Sequence, residues 1–148
     1  MTQLIPLEGL KKKIEITIPD SVSISAENYL LAKADRLADI CRLLKDDKEL
    51  SLDYLSNLTA ADYEEHYEVI YRLVSFDKNH SVTLKVRLDK DNPSLSSVCD
   101  IWRGADFQER EVYDLMGIIF NGHPNLKRIM LWEGFNGHPL RKDYHLDA

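Results

Sequence analysis

The chain has 148 residues, 44% hydrophobic and 30% charged, with a net charge of −6 at pH 7. That length and composition fit one domain with its own core and exclude a disordered chain. The acidity argues against a nucleic-acid-binding surface, which needs clustered Lys and Arg. Its two cysteines, Cys41 and Cys99, fall short of the four thiolates an iron–sulfur cluster normally takes.

Residues 13–18, KIEITI, alternate Ile14, Ile16 and Ile18 and so read as a strand, closed by a turn at Pro19-Asp20. Residues 26–45 place Leu30, Ala34, Leu37, Cys41 and Leu44 at helical spacing, with Lys33, Arg36 and Asp39 outside and Ser25 as cap. This predicts an amphipathic helix over a sheet. Residues 50–58 read as a strand entering a turn at 59–62. Residues 66–76 set Tyr67, Val69, Tyr71 and Leu73 on one face. Residues 81–88 gather Val82, Leu84, Val86 and Leu88, and a polar turn at 77–80 joins the two runs into an antiparallel hairpin.

Asp91-Asn92-Pro93 breaks the chain. From 96 to 116, Val98, Ile101, Ala105, Val112, Leu115 and Met116 recur at helical intervals. Gly104 divides this stretch, Asp106 or a neighbour caps its second half, and Gly117 stands just past its end. Both cysteines lie in apolar, helix-patterned stretches and read as buried free thiols. Beyond Gly117, residues 118–120 and 128–131 read as short strands, and the rest has little apolar periodicity. The predicted fold is α+β. It is a two-layer α/β sandwich whose mixed sheet has a central antiparallel hairpin, with helices on one face. Residues 1–120 form the body and residues 121–148 an extended C-terminal arm of the same domain.

The arm carries four basic and three acidic side chains against 15 and 22 in the body, so it differs chemically from what it extends. No stretch approaches the roughly 18 consecutive apolar residues of a membrane span. Residues 1–13 lack the apolar run and cleavage site of a signal peptide. Attachment to a membrane would therefore run through a partner.

Three groups of residues invite a chemical reading. Glu109, Arg110, Glu111 and Asp114 share one helix, with Arg110 and Asp114 spaced as an i,i+4 pair. Glu109 and Glu111 are two apart and do not converge as paired acid/base carboxylates need to. An ion-pair network is the better reading. His123, His138 and His145, with Asp143, have long spacings and no helical His pair, which favours turn histidines over a metal site. The run Pro139-Leu140-Arg141-Lys142-Asp143-Tyr144 mixes cations, an aromatic and a fixed backbone, as protein interfaces do. No nucleophile elbow and no phosphate-binding glycine loop is present.

Residues 106–144 resemble the signature region of the 30-kDa, or C-type, subunit of NADH:quinone oxidoreductase, respiratory complex I. The pattern Glu-Arg-Glu-x-x-Asp-x-x-Gly-x-x-Phe-x-Gly-His-Pro-x-Leu-x-Arg falls on Glu109, Arg110, Glu111, Asp114, Gly117, Phe120, Gly122, His123, Pro124, Leu126 and Arg128. Its continuation falls on Gly137, His138, Pro139, Leu140, Arg141, Lys142, Asp143 and Tyr144.

The resemblance implies a non-catalytic subunit of the hydrophilic arm, on the cytoplasmic side of the membrane, with no flavin, cluster or quinone chemistry of its own. It implies docking on a D-like subunit that helps form the quinone site and lying close to a B-like subunit with the terminal cluster. Glu109, Arg110, Glu111, Asp114, His123, Pro124, Arg128, His138 and residues 139–144 are then expected at the partner interface. The arm is expected to order only against a partner, because fixing a backbone costs about 1–2 kcal/mol per residue. Two alternatives remain. One is the equivalent subunit of an energy-converting hydrogenase or of a quinone reductase fed by another donor. The other is a stand-alone acid/base enzyme using Glu109, Glu111, His123 and His138.

Overall fold

In a computed structural model, residues 2–145 are described. The elements in chain order are β1 (Gln3–Leu4), α1 (Leu7–Thr17), β2 (Val22–Ile24), β3 (Leu30–Ala32), α2 (Leu37–Asp46), β4 (Tyr54–Asp62), β5 (Tyr67–Ser75), β6 (His80–Leu88), β7 (Ser94–Ser96), α3 (Ala105–Met116) and β8 (Ile119–Asn121).

The hairpin forms as the alternation requires. Its register sets Tyr67 opposite Leu88, Val69 opposite Val86, Tyr71 opposite Leu84 and Leu73 opposite Val82. All eight are buried in one continuous apolar cluster. The main sheet runs β2-β3-β6-β5-β4. Strand β6 pairs antiparallel with β5 on one side, and on the other it pairs parallel with β3 and, at its start, with β1. The sheet is therefore mixed, and apolar residues of all three helices join the same cluster. Strands β7 and β8 make a separate parallel pair.

Several local expectations are corrected. Residues 13–18 are not a strand but the second half of α1. Leu7, Leu10 and Ile14, at i, i+3 and i+7, form a longer helical stripe that is buried, while Ile16 is 84% exposed. Residues 26–45 are not one helix. Leu30 and Ala32 lie in strand register with Leu84 and Val86, and only Leu37, Ile40, Cys41 and Leu44 form the buried helical stripe. Ser25 caps no helix. It closes the β2–β3 turn, its Oγ accepting the Glu27 N–H and its N–H bonding to Tyr29 O.

Strand β4 begins later than expected and runs through residues 59–62, because its pairing partners in β5 continue to Tyr67. Helix α3 begins after Gly104, no side chain caps it, and Ser94–Ser96 are strand. Cys41 is buried within α2. Cys99 is only half-buried and lies outside any helix.

The arm has no helix or strand after Asn121 among the described residues, and none of residues 121–145 is buried. Its last three residues fall outside the described range. If residues 7–17 are a helix, two isoleucines two positions apart differ sharply. Replacing Ile14 with Ala is expected to cost about 2–5 kcal/mol in urea unfolding, and replacing Ile16 with Ala under about 0.5 kcal/mol. Comparable losses at both would restore the strand.

Candidate functional site: the end of helix α3 and the arm

A helix leaves its last four carbonyls without intrahelical partners. In α3 every one of them finds a donor. Tyr113 O accepts the Gly117 N–H at 2.8 Å. Asp114 O accepts from His138 Nδ1 at 3.0 Å and Arg128 Nη1 at 3.4 Å. Leu115 O accepts the Leu140 N–H at 2.9 Å, and Met116 O accepts Arg141 Nε–H at 2.6 Å. Three of the four caps come from the arm. Two of its cations thus sit at the negative end of the helix dipole, where positive charge is favoured.

Asp114 binds the arm a second time through its side chain, which has no exposed surface. Oδ1 accepts Arg128 Nη1 at 3.0 Å. Oδ2 accepts the backbone N–H groups of Ile129, Met130 and Leu131 at 3.2, 2.8 and 2.9 Å. Those N–H groups would otherwise pair in a ladder, which is why residues 128–131 do not form the expected strand. Burial alone pushes the Asp114 carboxyl up. The N–H groups of Leu131, Met130 and Ile129 and the Arg128 guanidinium outweigh it and hold the group below the usual carboxylate range. Arg128 closes the loop by donating Nη2–H to Gly137 O at 2.8 Å.

Arg110 does not pair with Asp114. It reaches the carbonyls of Lys127 and Arg128 at 3.1 and 3.2 Å instead. Further along, Lys142 N–H donates to Asp62 Oδ2 at 2.9 Å, Asp62 also pairs with Lys90, and Arg141 lies over the Tyr67 ring. Two glycines permit this approach. Gly117 has φ +75° and lies where a Cβ would meet the Arg141 guanidinium and the His138 ring. Gly137 has φ +98° and lies where a Cβ would meet the Tyr144 ring at 2.8 Å.

Elsewhere on α3, Glu109 is wholly buried and turns inward. Its carboxylate accepts Ser97 Oγ–H and, at 2.8 Å, the Val98 N–H, so it fixes the loop before the helix. Burial pushes this carboxyl up, and the Ser97 and Val98 bonds and nearby His123 offset that only in part. His123 Nε2 lies 3.0 Å from Asp106 Oδ1, with Cys99 close by, so these three side chains could meet one metal ion. The Asn125 N–H donates to His123 Nδ1 at 2.9 Å, which places the ring proton on Nε2, facing Asp106. In this tautomer Nε2 has no lone pair for a metal, so the trio does not fit one as arranged.

Residues 30–148 match the family described as "Respiratory-chain NADH dehydrogenase, 30 Kd subunit". The chain belongs to this family. The C subunit of the NADH-quinone oxidoreductase of Roseiflexus sp. (strain RS-1) is 42% identical over 144 residues, covering 93% of this chain and 83% of that protein. The corresponding C subunit of Moorella thermoacetica is 39% identical over 136 residues, covering 90% and 88%. Among solved structures, a chain of the membrane-bound sulfane sulfur reductase, an archaeal respiratory membrane complex, superposes with a TM-score of 0.75 at 25% identity, covering 94% of this chain and 85% of that one. A trypsin-resistant fragment of Nqo5 superposes with a TM-score of 0.59 at 25% identity, covering 81% and 98%.

Within this 30-kDa family member, the residues the sequence marked for a partner interface differ in their exposure. Glu109 and Asp114 have no accessible surface, and in this fold their side chains hold the chain's own segments. Arg110, Arg128, His138 and Arg141 are half-buried and bind backbone carbonyls. Glu111, Pro124, Leu140, Lys142 and Asp143 are exposed, His123 is engaged with Asp106, and Pro139 and Tyr144 are half-buried.

The hydrogen bonds above seat the arm on the chain's own body. Sequence reasoning missed Asp62 and Ser97. Asp62 meets Lys142 across 80 residues of chain, a separation at which no local pattern signals contact. No helix among the described residues is long and apolar enough to cross a membrane.

Asp114→Ala is expected to cost about 3–5 kcal/mol, the usual result of stripping one partner from a buried ion pair, and to speed amide exchange at 129–131. A depressed native carboxyl stabilises above its unfolded value, near pH 4, and that stability is lost as pH falls through the native value. Arm protection should therefore hold at neutral pH and fall below about pH 4. Exchange at 129–131 that ignores both the substitution and acid would contradict this role.

Proposed function

We propose that this chain is the C-type subunit in the hydrophilic arm of a proton-translocating NADH:quinone oxidoreductase, peripheral on the cytoplasmic side of the cell membrane. There it holds in register a D-like subunit of the quinone site and a B-like subunit that carries the terminal cluster. Electron transfer and quinone chemistry belong to those partners, and the task of this chain is positional.

The observation that carries the reading is the arm's division of labour. Its polar groups are engaged on α3, while Met130, Trp132 and Leu140 are 62%, 70% and 58% exposed. A segment pinned from beneath, with large apolar side chains facing outward, is preorganised to bind protein without a further ordering cost. Glu111, Pro124, Lys142 and Asp143 are exposed as well, and Tyr144 is half-buried.

The stand-alone enzyme finds less support. Glu109 bonds to Ser97 and Val98, His138 to a helix carbonyl, and the cavity beside Glu111 is lined by neither. A second reading is favoured by the likeness to the sulfane sulfur reductase chain. In it the same subunit serves a respiratory membrane complex with another donor or acceptor, such as an energy-converting hydrogenase.

The double variant Met130→Ala/Trp132→Ala tests the proposal in cells whose only copy of the chain is tagged. Anchors of this kind typically contribute at least about 1–2 kcal/mol each. Co-isolated subunits should fall at least about tenfold, with the melting temperature of the isolated chain unchanged. Normal assembly would refute the proposal, as would turnover of a substrate by the purified chain alone. An NADH-oxidising module among the co-isolated subunits separates the first reading from the second.

A further inference from the structure

Between the outer edge of β4 and helix α3 lies a cavity of about 150 Å³ that no feature above accounts for. Ala60, Val112, Met116 and the arm's Leu140 form its apolar wall, the polar Asn57, Thr59 and Gln108 share the lining, and the exposed Glu111 is the one charged group. A cavity of about 150 Å³ is large enough for one benzene-sized group.

Strand β4 ends the sheet, and a free edge is a place where a partner can add a strand. Here that route is obstructed. Gln108 Oε1 already accepts the Leu58 N–H at 2.7 Å, and Gln108 Nε2–H is tied back to Gly104 O at 3.0 Å. What remains open is a notch for a side chain rather than a ladder for a backbone. Leu140, whose N–H is fixed to Leu115 O, makes the notch continuous with the arm.

We infer that this notch receives one phenylalanine or leucine side chain from a neighbouring protein of the complex, on a segment that also carries a lysine or arginine to meet Glu111. The inference rests on the reading under Proposed function and specifies one anchor point within it. Apolar burial supplies the hold, as in the pockets where interface energy concentrates. The carboxylate at the rim selects the sign of the neighbouring charge, and the chain's net charge of −6 favours the same sign at longer range.

The test uses the complex isolated from membranes through the tagged chain. Ala60→Leu fills the notch, Leu140→Asp spoils its apolar wall at an exposed position, and Glu111→Lys reverses its charge. Each is expected to reduce co-isolated subunits at least about tenfold, with the isolated chain's melting temperature unchanged for Leu140→Asp and Glu111→Lys. Glu111→Gln should assemble but lose much of the salt dependence of dissociation. A photo-crosslinker at position 140 should capture a segment holding an aromatic or leucine beside a basic residue.

Normal assembly of Leu140→Asp and Glu111→Lys overturns the inference. So does a crosslink to a second copy of this chain, or to an acidic segment. If the Met130/Trp132 double variant still fails to assemble while the notch variants succeed, only the notch is lost. If all of them assemble normally, the positional role falls as well.

Discussion

One carboxylate organises the functional half of this molecule. Asp114 sits in the last turn of α3, without exposed surface, and accepts hydrogen bonds from three consecutive backbone N–H groups and a guanidinium. A buried charge is tolerable only when its lone pairs are satisfied, and here the satisfying groups all belong to residues 128–131. The ion's need for partners thus dictates where the arm must run. The carbonyl of the same residue, and the two that follow it, then fix residues 138–141. Side chain and backbone of one helix end draw two separate stretches of the arm to the same place.

The arrangement separates two requirements that usually compete. Holding a chain segment in place normally buries its apolar side chains, which removes them from any interface. This arm is held almost wholly by polar contacts, through Arg110, Asp114, Arg128, His138 and Arg141. Leu126 packs against the core, but Met130, Trp132 and Leu140 stand among the most exposed large residues of the chain. In this chain, Arg110 and Asp114 of α3 and the Gly-His-Pro-Leu-Arg run are two halves of one fastening.

The hairpin and the end of α3 were legible in sequence because their causes are local. Alternation over nine residues specifies β5 and β6, and a glycine after Met116 specifies a left-handed stop, which Gly117 provides at φ +75°. The misread segments were those where two periodicities fit the same few residues. Ile14, Ile16 and Ile18 alternate, yet Leu7, Leu10 and Ile14 share a helical stripe, and burial against the core decided between them. Leu30 and Ala32 fit either a helix or a strand until β6 presents Leu84 and Val86. The site divides in the same way. Its residues were visible as a motif, but spacing linked Arg110 with Asp114, whereas the true partner, Arg128, lies a loop away.

The fastening also fixes an order of events. Lys142 can find Asp62 only when β4 and the arm are both in place, across 80 residues of chain, and the arm's caps have no acceptors until α3 has formed. Long-range closures of this kind come late in folding. The exposed tryptophan and methionine therefore take up a fixed arrangement only on a chain whose interior is already complete. An unfinished copy would display the same residues without the geometry.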